Sequence, residues 1–176
     1  VAFPVYWMVV TSFRDNSDIR SAPRFLPIGT LENYRAVFER ENFWSSFGNS
    51  LQVTLLTVGF ALVTAFLAAV AVARFRFRGR VAFLVTILLV QMVPAEALMI
   101  SVVKTLDGWN LRNSIIGLTI TYVAFVLPFT VWTLRGFVSG VPRELEEAAM
   151  VDGSSRRRAF VTLTLPHVGP GMVATG

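Results

Sequence analysis

The feature that most constrains this chain is the distribution of its charges. No Asp, Glu, Lys or Arg occurs between Glu41 and Arg74. Between Arg80 and Lys104 there is only Glu96, and between Arg112 and Arg135 lie 22 uncharged residues. Each gap is long enough for a helix to cross a bilayer core, which takes about 20 apolar residues. Charged residues make up 15% of the chain and hydrophobic ones 54%, against about 25% charged in an ordinary soluble domain. The apolar excess is gathered into runs, which is a membrane pattern rather than that of a globular core. The expected fold class is therefore all-α, a polytopic transmembrane helical bundle with complete spans at 48–73, 81–103 and 114–136.

Both ends read as cut. The opening VAFPVYWMVVTSF is apolar but only 13 residues long before Arg14. Residues 1–13 are expected to be the end of a first span and 167–176 the start of another, so about five spans are represented. A signal-peptide core is the alternative for the front, but the basic start and small-residue cleavage site are missing. There is no cysteine, which excludes disulfides, thiolate metal sites and a cysteine nucleophile.

Arginine sets the orientation. The link RFRFRGR, residues 74–80, carries four arginines in seven residues, and the stretch from Arg135 to Arg158 carries five more. Two crossings separate these segments, so they share a side, and their basic density makes that side cytoplasmic. The opposite side receives 14–47, where five arginines face five acids, and the loop TLDGWNLRN. A nucleic-acid or anionic-lipid patch is the other reading of RFRFRGR; a topology signal is the simpler one. Within 14–47, SAPRFLPIG should be irregular. TLENYRAVFER should form a short amphipathic helix with Thr30 as N-cap and Leu31, Tyr34, Val37 and Phe38 on one face.

Inside the spans, Pro94 and Pro128 should kink or interrupt their helices. Gly59, Gly117 and the Ala-rich FLAAVAVA should allow close helix packing. Glu96 is a charged group in a span and hence a candidate pathway residue. Its plainer reading is an outer-end residue that reaches water.

The segment 139–166 is the most informative. GVPRELEEAAMVDG has helix signals at both ends. Pro142 suits the first position, Glu144, Glu146 and Glu147 complement the dipole of the early turns, and Gly153 suits a left-handed end. Leu145, Ala148, Ala149 and Asp152 share a face, small enough to lie deep in another surface. Ser154 or Ser155 can cap a second helix carrying Arg156, Arg157 and Arg158, which Pro166 is expected to close. A cytoplasmic helix–glycine–helix anchored to spans at both ends is built to move with them; its plainer reading is an ordinary helical hairpin.

At these residues the chain resembles a known family. Glu147-Ala148-Ala149, Gly153, Leu163, Leu165 and Pro166 have the spacing of the EAA motif of ABC importer permeases, E-A-A-x3-G-x9-I-x-L-P, with Leu163 for the usual Ile. FPVYWMVVTSFR, TLENYRAVF, NSLQVTLLTV, ARFRFRGR, QMVP and LPFTVWTLRGF look like the carbohydrate, maltose-permease-type branch. The resemblance covers essentially the whole chain. It implies the type I ABC importer permease fold, of which about five of six spans are represented, and a place in the bacterial inner membrane. The implied partners are a second homologous permease subunit, two ATP-binding subunits and an extracytoplasmic solute-binding protein, in contact with membrane lipid and with no nucleic acid. No cofactor is implied for this chain: ATP-Mg belongs to the ATPase subunits, in keeping with the missing G-x-x-x-x-G-K-[ST] sequence.

The resemblance makes Glu147, Ala148, Ala149, Asp152, Gly153, Leu163 and Pro166 the ATPase-coupling residues. No catalytic or metal residue is expected. Gln91, Glu96, Asn113 and Trp132 are candidates for a sugar path, although the solute site can be carried mainly by the partner permease. The implied solute is a sugar or oligosaccharide. A same-fold permease for another solute, such as glycerol phosphate, is the neighbouring reading. An intramembrane enzyme would need a convergent set of polar groups, and the chain has one histidine, His167, and one in-span acid, Glu96. A scaffold or sensor without transport does not account for the EAA spacing.

Overall fold

The structure, a computed structural model, describes residues 2–15 and 29–176. All regular structure among them is helical, as expected for the all-α class. The chain divides into two compact units, 1–51 and 52–176, and the boundary falls inside one long helix.

In the first unit, α1 spans Phe3–Ser12 and α2 spans Glu32–Phe38. The C-terminal end of α1 is satisfied from a distance. The Asn33 amide donates to the carbonyls of Ser12, at 3.1 Å, and Arg14, at 2.6 Å, so carbonyls that a helix end leaves without partners are paired. The Thr30 amide donates to the Phe13 carbonyl at 2.8 Å. Gly29 is required at this contact, because a Cβ there would lie 1.8 Å from the Phe13 oxygen. Thr30 accepts the Glu32 amide as expected of a capping side chain, but the helix begins one residue later than predicted, with Leu31 as N-cap. Leu31, Tyr34, Val37 and Phe38 are all exposed. Phe38 joins Phe43, Trp44 and Phe47 in an aromatic cluster, with ring centroids 5.1–6.4 Å apart, of the kind that collects at membrane interfaces. SAPRFLPIG, apart from Gly29, lies outside the described residues.

The long helix, α3, spans Phe43–Arg74. In the second unit it is followed by α4, Arg80–Gln91, α5, Ala95–Gly108, and α6, Ile115–Gly140. Helices α3 and α6 are each long and apolar enough to cross a membrane. Residues 81–103 do not form one straight helix: α4 and α5 meet at 97°. Pro94 is the N-cap of α5, with extended backbone (ψ 130°). It has no N–H to continue α4, and its ring disfavours helical geometry at Val93. Pro128 acts differently, for α6 runs through it unbroken.

The core of this unit explains which small residues matter. Ala65, Ala69 and Ala73 recur every four residues on α3 and are buried against Val131, Leu134 and Val138 of α6, together with Val141 and Val168. Small side chains at this interval let helices approach closely, which replaces the hydrophobic drive that lipid does not supply. The alanines of FLAAVAVA thus behave as expected, and the two glycines do not. Gly59 faces open space, and a Cβ on Gly117 would meet the Leu111 carbonyl at 2.3 Å, within its own helix entry. Buried Thr119 and Thr130 satisfy their hydroxyls on the carbonyls four residues back. The outward faces stay apolar, with Leu55 and Leu67 more than 60% exposed.

Candidate coupling site

After α6 the chain turns at Val141 and Pro142 into α7, Arg143–Val151. Pro142 stands one position before the predicted one, as the N-cap. Glu144 and Glu146 occupy the first turn, where a carboxylate is favoured by the helix dipole. The far end is closed by a paired backbone motif. The Ser154 amide reaches the Ala149 carbonyl at 2.9 Å and the Gly153 amide reaches Met150 at 3.1 Å. That closure needs a left-handed residue, and Gly153 supplies it with φ +87°.

Of the two serines proposed as caps, Ser155 acts, accepting the Arg158 amide at 3.3 Å. It starts α8, Arg156–Ala159. A π-helical turn, Phe160–Thr164, and α9, Leu165–Thr175, follow without a break. Pro166 therefore does not close the second helix, contrary to expectation. It sits in the first turn of α9, where the wider turn hands over to α geometry. The Leu165 amide bonds back five residues to Phe160, so the ladder shifts register just before the residue that cannot donate.

The two faces of α7 have opposite surroundings. Glu144, Glu147, Ala148, Val151 and Asp152 are exposed, whereas Glu146, Ala149 and Met150 are partly buried. The shared face predicted from Leu145, Ala148, Ala149 and Asp152 is thus divided, with Ala149 turned towards the protein and the others outward. Glu147 and Ala148 stand on the exposed side beside Asp152 and Gly153. Leu163 is partly buried in the π turn, and Pro166 is exposed one turn of helix beyond it.

The inward side holds residues that sequence reasoning missed. Arg74 Nη2, at the end of α3, lies 2.9 Å from Glu146 Oε1, with both side chains almost buried. Arg74 Nη1 donates to the Val141 carbonyl at 3.1 Å. The buried Thr164 hydroxyl donates to the same Glu146 oxygen. Arg143 Nη2 reaches back to the Ala73 and Arg74 carbonyls, at 2.8 and 3.1 Å. The only sequence signal was the position of Arg74, last of its helix and first of RFRFRGR, where it read as topology. Arg156, Arg157 and Arg158 are exposed and carry no ion pair among the described residues. Three cations in the first turn of a helix run against its dipole, so local stability does not account for them.

The four sugar-path candidates do not converge. Between the α4–α5 bend and α6 lies a cavity of about 770 Å³, and only Gln91 of the four lines it. Glu96 is in the first turn of α5, and Asn113 has φ +56°, a conformation that asparagine tolerates better than most residues. Trp132 lies under the Arg135 guanidinium, 5.3 Å from the ring centroid. The polar groups that do line the cavity include Ser101, Thr105, Thr121 and Trp109. Thr105 and Thr121 return their hydroxyls to their own helices, and nothing in the sequence sets them apart from ordinary helix threonines. Among the described residues no three acidic or histidine side chains group to hold a metal.

Comparison with known proteins agrees with this architecture. The family described as "Binding-protein-dependent transport system inner membrane component" matches residues 43–175. The diacetylchitobiose uptake system permease protein DasC of Streptomyces coelicolor is 44% identical over 99% of this chain and 64% of its own length. The trehalose transport system permease protein SugB of Mycobacterium tuberculosis is 32% identical over 97% of this chain and 62% of its own. The trehalose/maltose transport system permease protein MalG of Thermococcus litoralis is 33% identical over 98% and 63%. The chain thus spans a little under two thirds of these relatives. A crystal structure of a bacterial ABC transporter involved in import of the acidic polysaccharide alginate has the same fold. Its TM-score is 0.71 at 21% identity, over 99% of this chain and 63% of that one. The resemblance drawn from the EAA spacing and its flanks is borne out, and the chain belongs to the family of binding-protein-dependent transport system inner membrane components.

Proposed function

We propose that this chain belongs to a permease subunit of an ATP-driven, binding-protein-dependent importer for a sugar or oligosaccharide. Transport would run by alternating access, driven through residues 139–166 by a separate ATPase that holds ATP-Mg. The partners are a second permease of the same family, two ATP-binding subunits and an extracytoplasmic binding protein. The subunit belongs in the bacterial inner membrane, with 74–80 and 139–166 on the cytoplasmic side.

The observation that carries this reading is the division of α7. Its inner half is bonded to the end of α3, while Glu147, Ala148, Asp152 and Gly153 stand free on the outer half. A helix held firmly from behind, with an acidic and small-residue front, suits insertion into a groove of another protein. Glu147 is the polar anchor, Ala148 allows close approach, and Gly153 makes the bend. Leu163 and Pro166 belong to the return helix, and Ala149 seats α7 on the protein. The sugar reading draws on the named solutes of the relatives, diacetylchitobiose and trehalose. Gln91, which lines the cavity, is the member of the path set best placed to meet a solute, and Glu96, Asn113 and Trp132 are weaker members.

The test uses the full-length transporter in proteoliposomes. Glu147→Lys and Gly153→Val should reach the membrane, weaken the hold on the ATPase and lose ATP-driven uptake. Normal uptake by both would sink the assignment. A panel containing diacetylchitobiose, trehalose and maltose then tests the solute class.

A further inference from the structure

Four side chains from three distant stretches of the chain meet where α3 ends. Arg74 closes α3, Arg143 and Glu146 open α7, and Thr164 ends the π turn that leads into α9. One carboxylate oxygen of Glu146 accepts the Thr164 hydroxyl and pairs by charge with Arg74 Nη2 at 2.9 Å, a contact without hydrogen-bond geometry. The Arg74 and Glu146 side chains are 10% and 14% exposed. Charges withdrawn this far from water are seldom a net source of stability, because desolvation consumes much of the Coulomb gain. An apolar cluster of similar volume would hold the helices together equally well.

What the polar cluster adds is direction. Glu146 is tied on one side to α3 and on the other to the start of α9, so α7 cannot turn about its axis without breaking bonds in a low dielectric. Arg143 adds a second tie. Its guanidinium occupies carbonyls at the C-terminal end of α3, which lack partners within the helix and carry the negative end of its dipole. The hydrogen bond from Arg74 to the Val141 carbonyl holds the junction between α6 and α7 as well.

We propose that Arg74, Arg143, Glu146 and Thr164 form a transmission strut that makes α7, the end of α3 and the start of α9 one rigid piece, so that displacement of α7 is passed to the spans undiminished. Arg143 and Glu146 are positioning residues in this scheme and do not touch the partner. The proposal rests on the reading of α7 as the helix that receives an ATPase. It assigns the two adjacent glutamates opposite tasks, Glu147 outward to the partner and Glu146 inward to the frame.

The test uses the reconstituted full-length transporter with its ATPase and binding protein. Glu146→Gln, Thr164→Val and Arg143→Gln should each co-purify with the ATPase and hydrolyse ATP. Uptake per ATP hydrolysed should fall roughly tenfold, within the usual range of coupling between sites. Arg74→Lys keeps the charge but not the fork that spans two acceptors, and should fall between the parent and Glu146→Gln. Spin labels on Phe77→Cys and Val151→Cys, both exposed positions, in a transporter freed of any other cysteine, should give a narrow distance distribution that broadens in Glu146→Gln. If Glu146→Gln fails to accumulate, Thr164→Val, which removes one hydroxyl, decides. Unchanged uptake per ATP, or an unchanged distance distribution, overturns the strut. Loss of ATPase co-purification with Glu146→Gln also overturns it, by placing that residue in the docking surface. Failure of the docking reading itself shows elsewhere: Glu147→Lys would then bind the ATPase and transport normally.

Discussion

Glu146 and Glu147 are neighbours with the same chemistry, and a step of about 100° around the helix separates their environments. Glu147 is exposed and Glu146 is partly buried beside Arg74. Glu147→Ala should therefore leave the melting temperature of the purified permease nearly unchanged, within about 0.5 kcal/mol. Arg74→Ala should cost about 3–5 kcal/mol, the usual penalty for leaving one member of a buried pair alone; thermal unfolding in detergent compares the two. Gly153 carries a backbone requirement of another kind. Its φ of +87° makes Gly153→Ala cost about 1–2 kcal/mol, and amide exchange should quicken in the last turn of α7. Gly153 and Ser155 were legible in the sequence because caps are local chemistry. Glu146 was not, because its partners lie 72 residues before it and 18 residues after it.

Among the elements, α3 and α9 show what a hydropathy profile reads and what it omits. The length of α3 follows from a charge-free run. The side that packs does not, since the run is apolar all round and lipid and protein reward apolar surface alike. The stripe Ala65, Ala69 and Ala73 is marked only by small size at a spacing of four. Ala69 is fully buried, so Ala69→Leu should force α3 away from α6 and α9 at a cost of about 1–3 kcal/mol, seen as a lower melting temperature. Ala68→Leu, at a partly exposed position next to it, should be milder. Helix α9 supplies the correction. Proline ends helices often enough to read Pro166 as a stop, but a π turn ahead of it shifts the ladder so that the missing N–H falls in the first turn of a new α segment.

At the scale of the whole molecule, the arginine count and the structure bear on one question by different routes. RFRFRGR and the α7 segment were assigned to one side because two crossings separate them. Independently, Arg74 and Arg143 bring residues 67–70 positions apart into hydrogen bond. An impermeant maleimide applied to intact cells should accordingly label Trp109→Cys, and should label Phe77→Cys and Val151→Cys only after the membrane is opened. Labelling in the reverse order would invert the orientation.

The sequence alone determined that the chain carries runs long and apolar enough to cross a membrane, and that its polar segment has the EAA spacing of an importer permease. These properties reside in single segments: a run without charge must leave water, and a helix cap is set by residues a few positions apart. Only the tertiary structure decided that the break expected at Pro94 is a bend of 97°, that Gln91 alone of the path candidates reaches the cavity, and that Glu146 faces inward while Glu147 faces out. A helix has an inside only relative to what packs against it, and the residues that pack against α7 come from the far ends of two other helices.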